Sequence, residues 1–166
     1  NDSFGHLAGD ELLRRLVPVL QSTLRQGEVL ARIGGDEFAV LIENCSAEFA
    51  HSAATQVRDA VQSWLQRQAK RVFEERCHHF ARQLGVRWTR LSLSSASTRW
   101  GSASADGAIR LHWRLIHFAM PTIDYVVAHE LAHLRVMDHS PQFWDVVRSV
   151  IPDVERLREG LRDELL

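Results

Sequence analysis

The chain has 166 residues, 45% of them hydrophobic, and a formal net charge of −1. This length holds one ordinary domain or two small ones, and the composition is that of a globular protein, which excludes a fully disordered chain. The near-neutral charge argues against binding to nucleic acid through bulk charge, and no apolar run is long enough to cross a bilayer.

Two further features indicate the compartment. No charged-then-apolar leader opens the sequence, and the two cysteines, Cys45 and Cys77, do not make a disulfide framework. We therefore expect a cytoplasmic protein with reduced thiols and no membrane partner.

Charge and tryptophan content divide the chain into two parts. Residues 1–62 carry a net charge of −4, whereas residues 63–166 carry +3 and all five tryptophans. We expect one domain in residues 1–62 and a second in residues 63–166.

The first part has a helical pattern over residues 9–25, followed by two short apolar runs, Val29–Ile33 and Phe38–Ile42. The runs flank Gly34-Gly35-Asp36-Glu37, which predicts a hairpin whose glycines take the positive φ angles of the turn.

A long segment without Pro or Gly connects the two parts. Residues 47–84 predict either one long helix or two helices that meet near residues 63–66, and Gly85 is the expected stop.

The second part mixes strand and helix patterns. Alternating side chains predict a half-buried strand over Ile109–Leu115. Pro121 opens a predicted helix that reaches about Met137, Ser140-Pro141 opens another with Ser140 as N-cap, and Pro152 begins the last.

The clearest chemical signal is His129-Glu130-Leu131-Ala132-His133, an HExxH sequence inside a predicted helix. Residues four apart lie on one helix face, so both imidazoles can bind one zinc ion. Glu130 lies beside that site, where it can take a proton from water during metal-assisted hydrolysis. His139, just before the next helix, is the best candidate for the third ligand that catalytic zinc needs. The alternative is that these histidines are only hydrogen-bonded core residues.

The second part contains several separated motifs, in order Thr98-Arg99-Trp100-Gly101-Ser102, Ile109–Ile116, Asp124–His133 and His139-Ser140-x-x-Phe143-Trp144. Together these motifs resemble the YgjP-like zinc metallopeptidases, relatives of the WLM and SprT-like groups. The resemblance implies an α+β, zincin-like fold with a small antiparallel sheet over the HExxH helix, a peptide or protein substrate, His129, His133 and His139 as zinc ligands, and Glu130 as base.

The first part resembles the GGDEF domain of diguanylate cyclases in two motifs, Asn1-Asp2-x-x-Gly5-His6-x-x-Gly9-Asp10 and Ala31-Arg32-x-Gly34-Gly35-Asp36-Glu37-Phe38. The resemblance implies that Asn1 and Asp10 recognise guanine and that Asp36 serves Mg²⁺ and the attacking hydroxyl. The Gly34-Gly35 turn allows backbone to approach phosphate, and Asp36 and Glu37 offer oxygen ligands.

The rest of a GGDEF domain does not follow, because the peptidase-like sequence begins near residue 63. We therefore expect a partial α/β fragment without cyclase activity, joined by a long helix to the peptidase-like part. Two alternatives stay open: a module that binds GTP or cyclic di-GMP, and an inactive chimera of two truncated domains.

Two further interpretations concern surfaces of the second part. The strand Ile109–Leu115 is a candidate for binding an extended peptide by strand addition, and the alternative is that its apolar face packs in the core. Residues 82–114 carry six arginines opposed only by Asp106, which indicates either a solvated face or a contact with nucleic acid, the latter because SprT-like relatives act near DNA.

Overall fold

The computed structural model describes residues 13–34 and 37–163. The chain divides into two compact units, Asn1–Trp64 and Leu65–Leu166. Cys45 and Cys77 are both free thiols, as expected. Within the described ranges, no helix has the length and apolar character that a membrane crossing requires.

The first unit contains a helix at residues 13–21 (α1) and an antiparallel hairpin of β1 (Val29–Gly34) and β2 (Glu37–Leu41). The hairpin is confirmed, but Gly34 does not take the positive φ angle that we expected of it, and Gly35 lies outside the described residues. Instead, the register between β1 and β2 shifts between Arg32 and Gly34, as it does at a β-bulge. Because a two-stranded sheet covers little of its own surface, apolar side chains stay exposed, namely Val29, Ile33 and Leu41.

Helix α2 runs without interruption over Ala47–Leu84, which decides between the one-helix and two-helix predictions. It ends at Gly85, whose φ of 66° belongs to the left-handed region that glycine adopts at helix ends. In the second unit, side chains of α2 at spacings of three and four residues are buried in the core: Phe73, Cys77, Phe80 and Leu84.

The second unit has one three-stranded sheet with the order β3-β5-β4. Strand β5 (Ala108–His112) lies in the middle, parallel to β3 (Arg90–Ser94) and antiparallel to β4 (Gly101–Ala103). The α+β class is confirmed, but the sheet is mixed rather than wholly antiparallel. The prediction of strand addition at Ile109–Leu115 is wrong, because both edges of β5 are already hydrogen-bonded to other strands.

The predicted strand to Leu115 is also too long. A 3₁₀ helix covers Trp113–His117, and the Nδ1 atom of His112 accepts a hydrogen bond of 3.1 Å from the backbone N–H of Arg114 at its start. Trp113 and Leu115 are nevertheless buried, so the alternating pattern that predicted a strand reports burial and not extended backbone.

Three α-helices complete the second unit: α3 (Met120–Ala132), α4 (Pro141–Arg148) and α5 (Val154–Asp163). Helix α3 ends five residues before the predicted Met137. Ser140 occupies the N-cap position of α4 as predicted, but its side chain makes no cap hydrogen bond. The backbone N–H of Ser140 donates instead to Oδ1 of Asp138, at 3.1 Å.

A bidentate ion pair fixes α3 against α2. Nε and Nη2 of Arg76 lie 2.6 Å and 3.0 Å from the two carboxylate oxygens of Asp124, and both side chains are about four-fifths buried. Such paired, charge-assisted hydrogen bonds are stronger than exposed ion pairs. This contact helps to set the position of α3, which carries the HExxH sequence.

We expect Asp124→Asn to lower the free energy of unfolding by about 1–3 kcal/mol, since the Arg76 guanidinium then loses its charge partner in a poorly hydrated place. Asp59→Asn is the matched control, because Asp59 pairs with Arg58 on an exposed surface. The control should change the free energy by less than about 0.5 kcal/mol. Urea denaturation measures both, and equal effects would show that the Arg76–Asp124 pair has no special role.

Candidate active site

Three histidines from two neighbouring segments lie together. His129 is in α3, and His133 is its C-terminal cap residue with helical backbone angles of −60° and −24°. The backbone N–H of His133 bonds to the carbonyl of His129 at 3.4 Å, so the helical turn continues and both rings share one face. His139 lies directly before the N-cap of α4, and one nitrogen from each of the three rings falls within 4.8 Å of the others.

The spacing of two of these nitrogens fits a tetrahedral metal site. Nε2 of His129 and Nε2 of His139 are 3.1 Å apart. Two nitrogens bound to one zinc ion at about 2.0–2.1 Å in tetrahedral geometry are about 3.3 Å apart. Nδ1 of His133 lies 3.3 Å from the carbonyl oxygen of Val136, so its proton can be donated there and its Nε2 is left for a metal. Three imidazoles suit zinc among the common divalent ions.

An aromatic side chain from α4 holds the three rings. Phe143 is fully buried, and its ring centroid lies 4.9 Å, 4.5 Å and 4.8 Å from those of His129, His133 and His139. Because one rigid ring contacts all three imidazoles, the cluster is held together before any ligand binds.

The surroundings favour the neutral form of the buried imidazoles. Burial, together with the nearby charges of His133 and His139, lowers the pKa of His129 to about 3. Burial also lowers the pKa of His133. Among the described residues, Nδ1 of His129 is a buried polar atom without a hydrogen-bond partner. Neutral imidazole is the form that binds metal ions.

Glu130 lies beside the cluster and is 6% exposed. Burial raises the pKa of its carboxyl group to about 8, and the charge of Arg99 opposes that shift. The side chain points at strand β4, where Gly101 leaves room for it. A Cβ atom at position 101 would lie 2.7 Å from both Cγ and Cδ of Glu130, closer than side-chain atoms approach each other.

His129 and Glu130 open into the same cavity, which has a volume of about 220 Å³. Sequence reasoning did not assign Tyr125 or Phe143 a part in this site, although both stood in the quoted motifs. A glycine within a strand signals a close approach of another group, and Gly101 carried that signal. The cavity is lined by Arg99, Trp100, Gly101, Tyr125, Val126, His129, Glu130 and Leu161.

The candidate nucleotide residues of the first unit are mostly outside the described ranges. This holds for Asn1, Asp10, Gly35 and Asp36, whereas Gly34 and Glu37 are the facing ends of β1 and β2. The structure therefore brings together the predicted residues of the second unit and does not test those of the first.

Comparison with solved structures identifies the fold. The fold resembles the metallopeptidase zymogen abylysin of Pyrococcus abyssi, with a TM-score of 0.52 and 23% identity, over 56% of this chain and 94% of that one. It also resembles the metallopeptidase zymogen jannalysin of Methanocaldococcus jannaschii, with a TM-score of 0.50 and 15% identity, over 57% and 97% of the two chains. The fold is therefore that of the zincin-like metallopeptidases.

The sequence then gives the family. The profile of the YgjP-like family, described as a metallopeptidase domain, matches residues 40–164, and the chain belongs to that family. The match begins well before residue 63 and so includes the last two residues of β2 and all of α2.

The first part of the chain is related to a different group. The probable diguanylate cyclase DgcE of Escherichia coli K12 is 42% identical over 86 residues, which are 52% of this chain and 7% of that protein. Diguanylate cyclase A of Treponema denticola is 39% identical over 62 residues, 37% of this chain and 17% of that protein. The chain thus spans 7% and 17% of the length of these two relatives. The resemblance of the first part to diguanylate cyclases is confirmed, over a partial stretch.

Proposed function

We propose that residues 63–166 form a zinc-dependent metallopeptidase in which His129, His133 and His139 hold the metal and Glu130 is the general base. The observation that supports this most directly is the convergence of three imidazole nitrogens within 4.8 Å, with Glu130 in the cavity that His129 also lines.

Zinc held by three imidazoles supplies a Lewis acid that polarises the scissile carbonyl and makes water a better nucleophile at neutral pH. Glu130 takes the proton of that water on a carboxylate oxygen and passes it to the leaving amine. Its buried place suits this, because a carboxyl group with a raised pKa holds a proton more readily than an exposed one.

An extended peptide fits the edge of strand β4. This strand is an edge of the sheet, and it carries Gly101, which packs against Glu130. A peptide that adds to this edge therefore passes beside the base, with main-chain hydrogen bonds to β4 setting its position. Strand addition is thus proposed at β4 in place of β5.

The test is peptide hydrolysis with and without metal. A library of fluorogenic peptides is offered to the protein as purified, to the chelator-treated protein, and to that protein after one equivalent of Zn²⁺ is restored. We expect cleavage that chelation abolishes and Zn²⁺ restores. Cleavage that survives chelation, or none in any state, would contradict the proposal.

Gly101→Ala is expected to lower peptide hydrolysis at least about tenfold while zinc binding stays unchanged, because the new methyl group displaces the Glu130 carboxylate and not the histidines. Gly160→Ala is the matched control. A Cβ atom there meets nothing within 4 Å, and alanine favours the helix that contains it. Steady-state kinetics and metal analysis of both variants measure the result. Full activity in Gly101→Ala would show that the room beside Glu130 is not needed.

For residues 1–62 we infer a partial GGDEF-like segment without cyclase activity of its own, with the boundary to the peptidase part inside α2. Homology to diguanylate cyclases supports guanine-nucleotide binding as the second candidate function. Calorimetric titration with GTP and Mg²⁺ tests this second candidate function. Saturable binding that Asp36→Ala abolishes would establish a nucleotide-binding module, whereas the absence of any binding heat would contradict it.

A further inference from the structure

A second cavity of about 290 Å³ lies on the face of the sheet that points away from the core. We call it the arginine groove. Its floor comes from all three strands, and its polar lining consists of three arginines and three serines: Arg90, Arg99, Arg110, Ser92, Ser102 and Ser104.

The strand register explains why these side chains share one face. Arg110 of the central strand pairs with Ser92 of β3 on one side and with Ser102 of β4 on the other. Its neighbours Ile109 and Leu111 are fully buried, so Arg110 points to the opposite face and is exposed. The three residues form a polar row across the sheet, with a guanidinium group at its centre.

Little negative charge opposes these arginines. Nη2 of Arg90 lies 3.6 Å from Oδ2 of Asp106, and both side chains are exposed. Within residues 13–34 and 37–163, neither Arg99 nor Arg110 has a hydrogen-bonded or ion-paired carboxylate. With Asp106 set against Arg90, the groove still carries a net positive charge from its other two arginines.

One residue joins the groove to the candidate active site. Arg99 lines both the arginine groove and the cavity that contains His129 and Glu130, and its charge acts on Glu130. Arg99 also comes just before β4, the edge proposed to receive the substrate. A peptide that lies along β4 therefore has catalytic residues on one side and guanidinium groups on the other.

We propose that the arginine groove selects peptide substrates with acidic side chains next to the cleaved bond. This inference rests on the proposed function. Neighbouring strands lie about 4.7–4.9 Å apart, so a side chain of an added peptide continues the row of Ser102 and Arg110 within reach of the long arginine side chains. Carboxylates accept paired hydrogen bonds from guanidinium groups, which gives geometric as well as charge selectivity. The groove shares Arg99 with the catalytic cavity, which favours a peptide substrate over a nucleic acid.

Binding is measured separately from cleavage. The probe is a fluorescein-labelled decapeptide in which aspartate alternates with valine, compared with its twin in which asparagine replaces aspartate. Fluorescence anisotropy with zinc-loaded Glu130→Gln protein gives both affinities without cleavage. We expect the acidic peptide to bind at least about tenfold more tightly, and less so in 0.5 M salt.

Arg110→Gln should bring the two affinities to within about threefold of each other, since it removes the charge at the centre of the row. Arg87→Gln is the control, because Arg87 is exposed but does not line the groove. Equal affinity of the two peptides, or full selectivity in Arg110→Gln, would overturn the inference. So would an eight-residue oligothymidylate that binds more tightly than the acidic peptide and loses affinity in Arg110→Gln, because the partner would then be nucleic acid.

Cleavage by the parent protein separates this inference from the proposed function. If the parent hydrolyses both peptides equally well, the function stands and the substrate preference fails. If it binds the acidic peptide selectively, with loss in Arg110→Gln, but hydrolyses nothing, the groove stands and the peptidase proposal fails.

Discussion

Replacing Glu130 with glutamine is expected to lower kcat for peptide hydrolysis by about 10²–10⁴-fold, the usual contribution of a general base. Glutamine has nearly the same shape, so it fits the space beside Gly101 and leaves the packing of α3 intact. An amide cannot accept the proton of water at neutral pH. Zinc content should therefore stay at that of the parent, because the proposed metal ligands are His129, His133 and His139.

Glu75→Gln is the matched control for this prediction. Glu75 is an exposed residue of α2, and its replacement should leave both kcat and zinc content unchanged. Steady-state kinetics and elemental analysis are done on the same preparations. Parent-level hydrolysis by Glu130→Gln would show that another group acts as base, and loss of zinc would show that Glu130 helps to hold the metal.

Replacing His139 with alanine is expected to weaken zinc binding by at least about 100-fold. Only two nitrogen donors then remain, and losing even an outer-shell partner of a ligand costs about 10–100-fold. His139 is exposed and lies in the connection between α3 and α4, so the core is not opened by this change. Competition with a chromophoric chelator at fixed pH measures the affinity.

His51→Ala serves as the control, since His51 is an exposed histidine of α2 in the other unit. It should bind zinc like the parent. If His139→Ala also binds zinc with the affinity of the parent, the third ligand is another residue. The His139 ring then lies near His129 and His133 for a reason other than metal binding.

The local part of the site follows from sequence because helix periodicity is short-range. The spacing of His129 and His133 predicts a shared face, and the structure shows their rings 5.0 Å apart. His139 lies directly before the N-cap of α4, a boundary that Ser140-Pro141 predicts. That these rings bind zinc stays a prediction.

Other features depend on contacts between distant residues, which a local pattern does not contain. Strand β5 pairs with both β3 and β4, so it has no free edge for a peptide. The alternating pattern of Ile109–Leu115 contains no information about these two partners. The packing of Gly101 against Glu130 joins residues 29 positions apart. In the sequence, Arg99 is one of six arginines in a basic stretch, and only the fold shows that it lines two cavities.

The first part of the chain shows a different limit. Its motifs identify relatives among the diguanylate cyclases, but motif identity does not supply the neighbouring strands that a sheet needs. In the described hairpin, Val29, Ile33 and Leu41 are exposed. The absence of cyclase activity in this part stays a prediction.

X-ray absorption at the zinc edge tests the central claim most directly. On protein loaded with one equivalent of Zn²⁺, we predict three imidazole nitrogens at about 2.0–2.1 Å and no sulfur in the first shell. Fewer than three imidazoles, or a sulfur ligand from Cys45 or Cys77, would contradict the assignment of His129, His133 and His139 as the metal site.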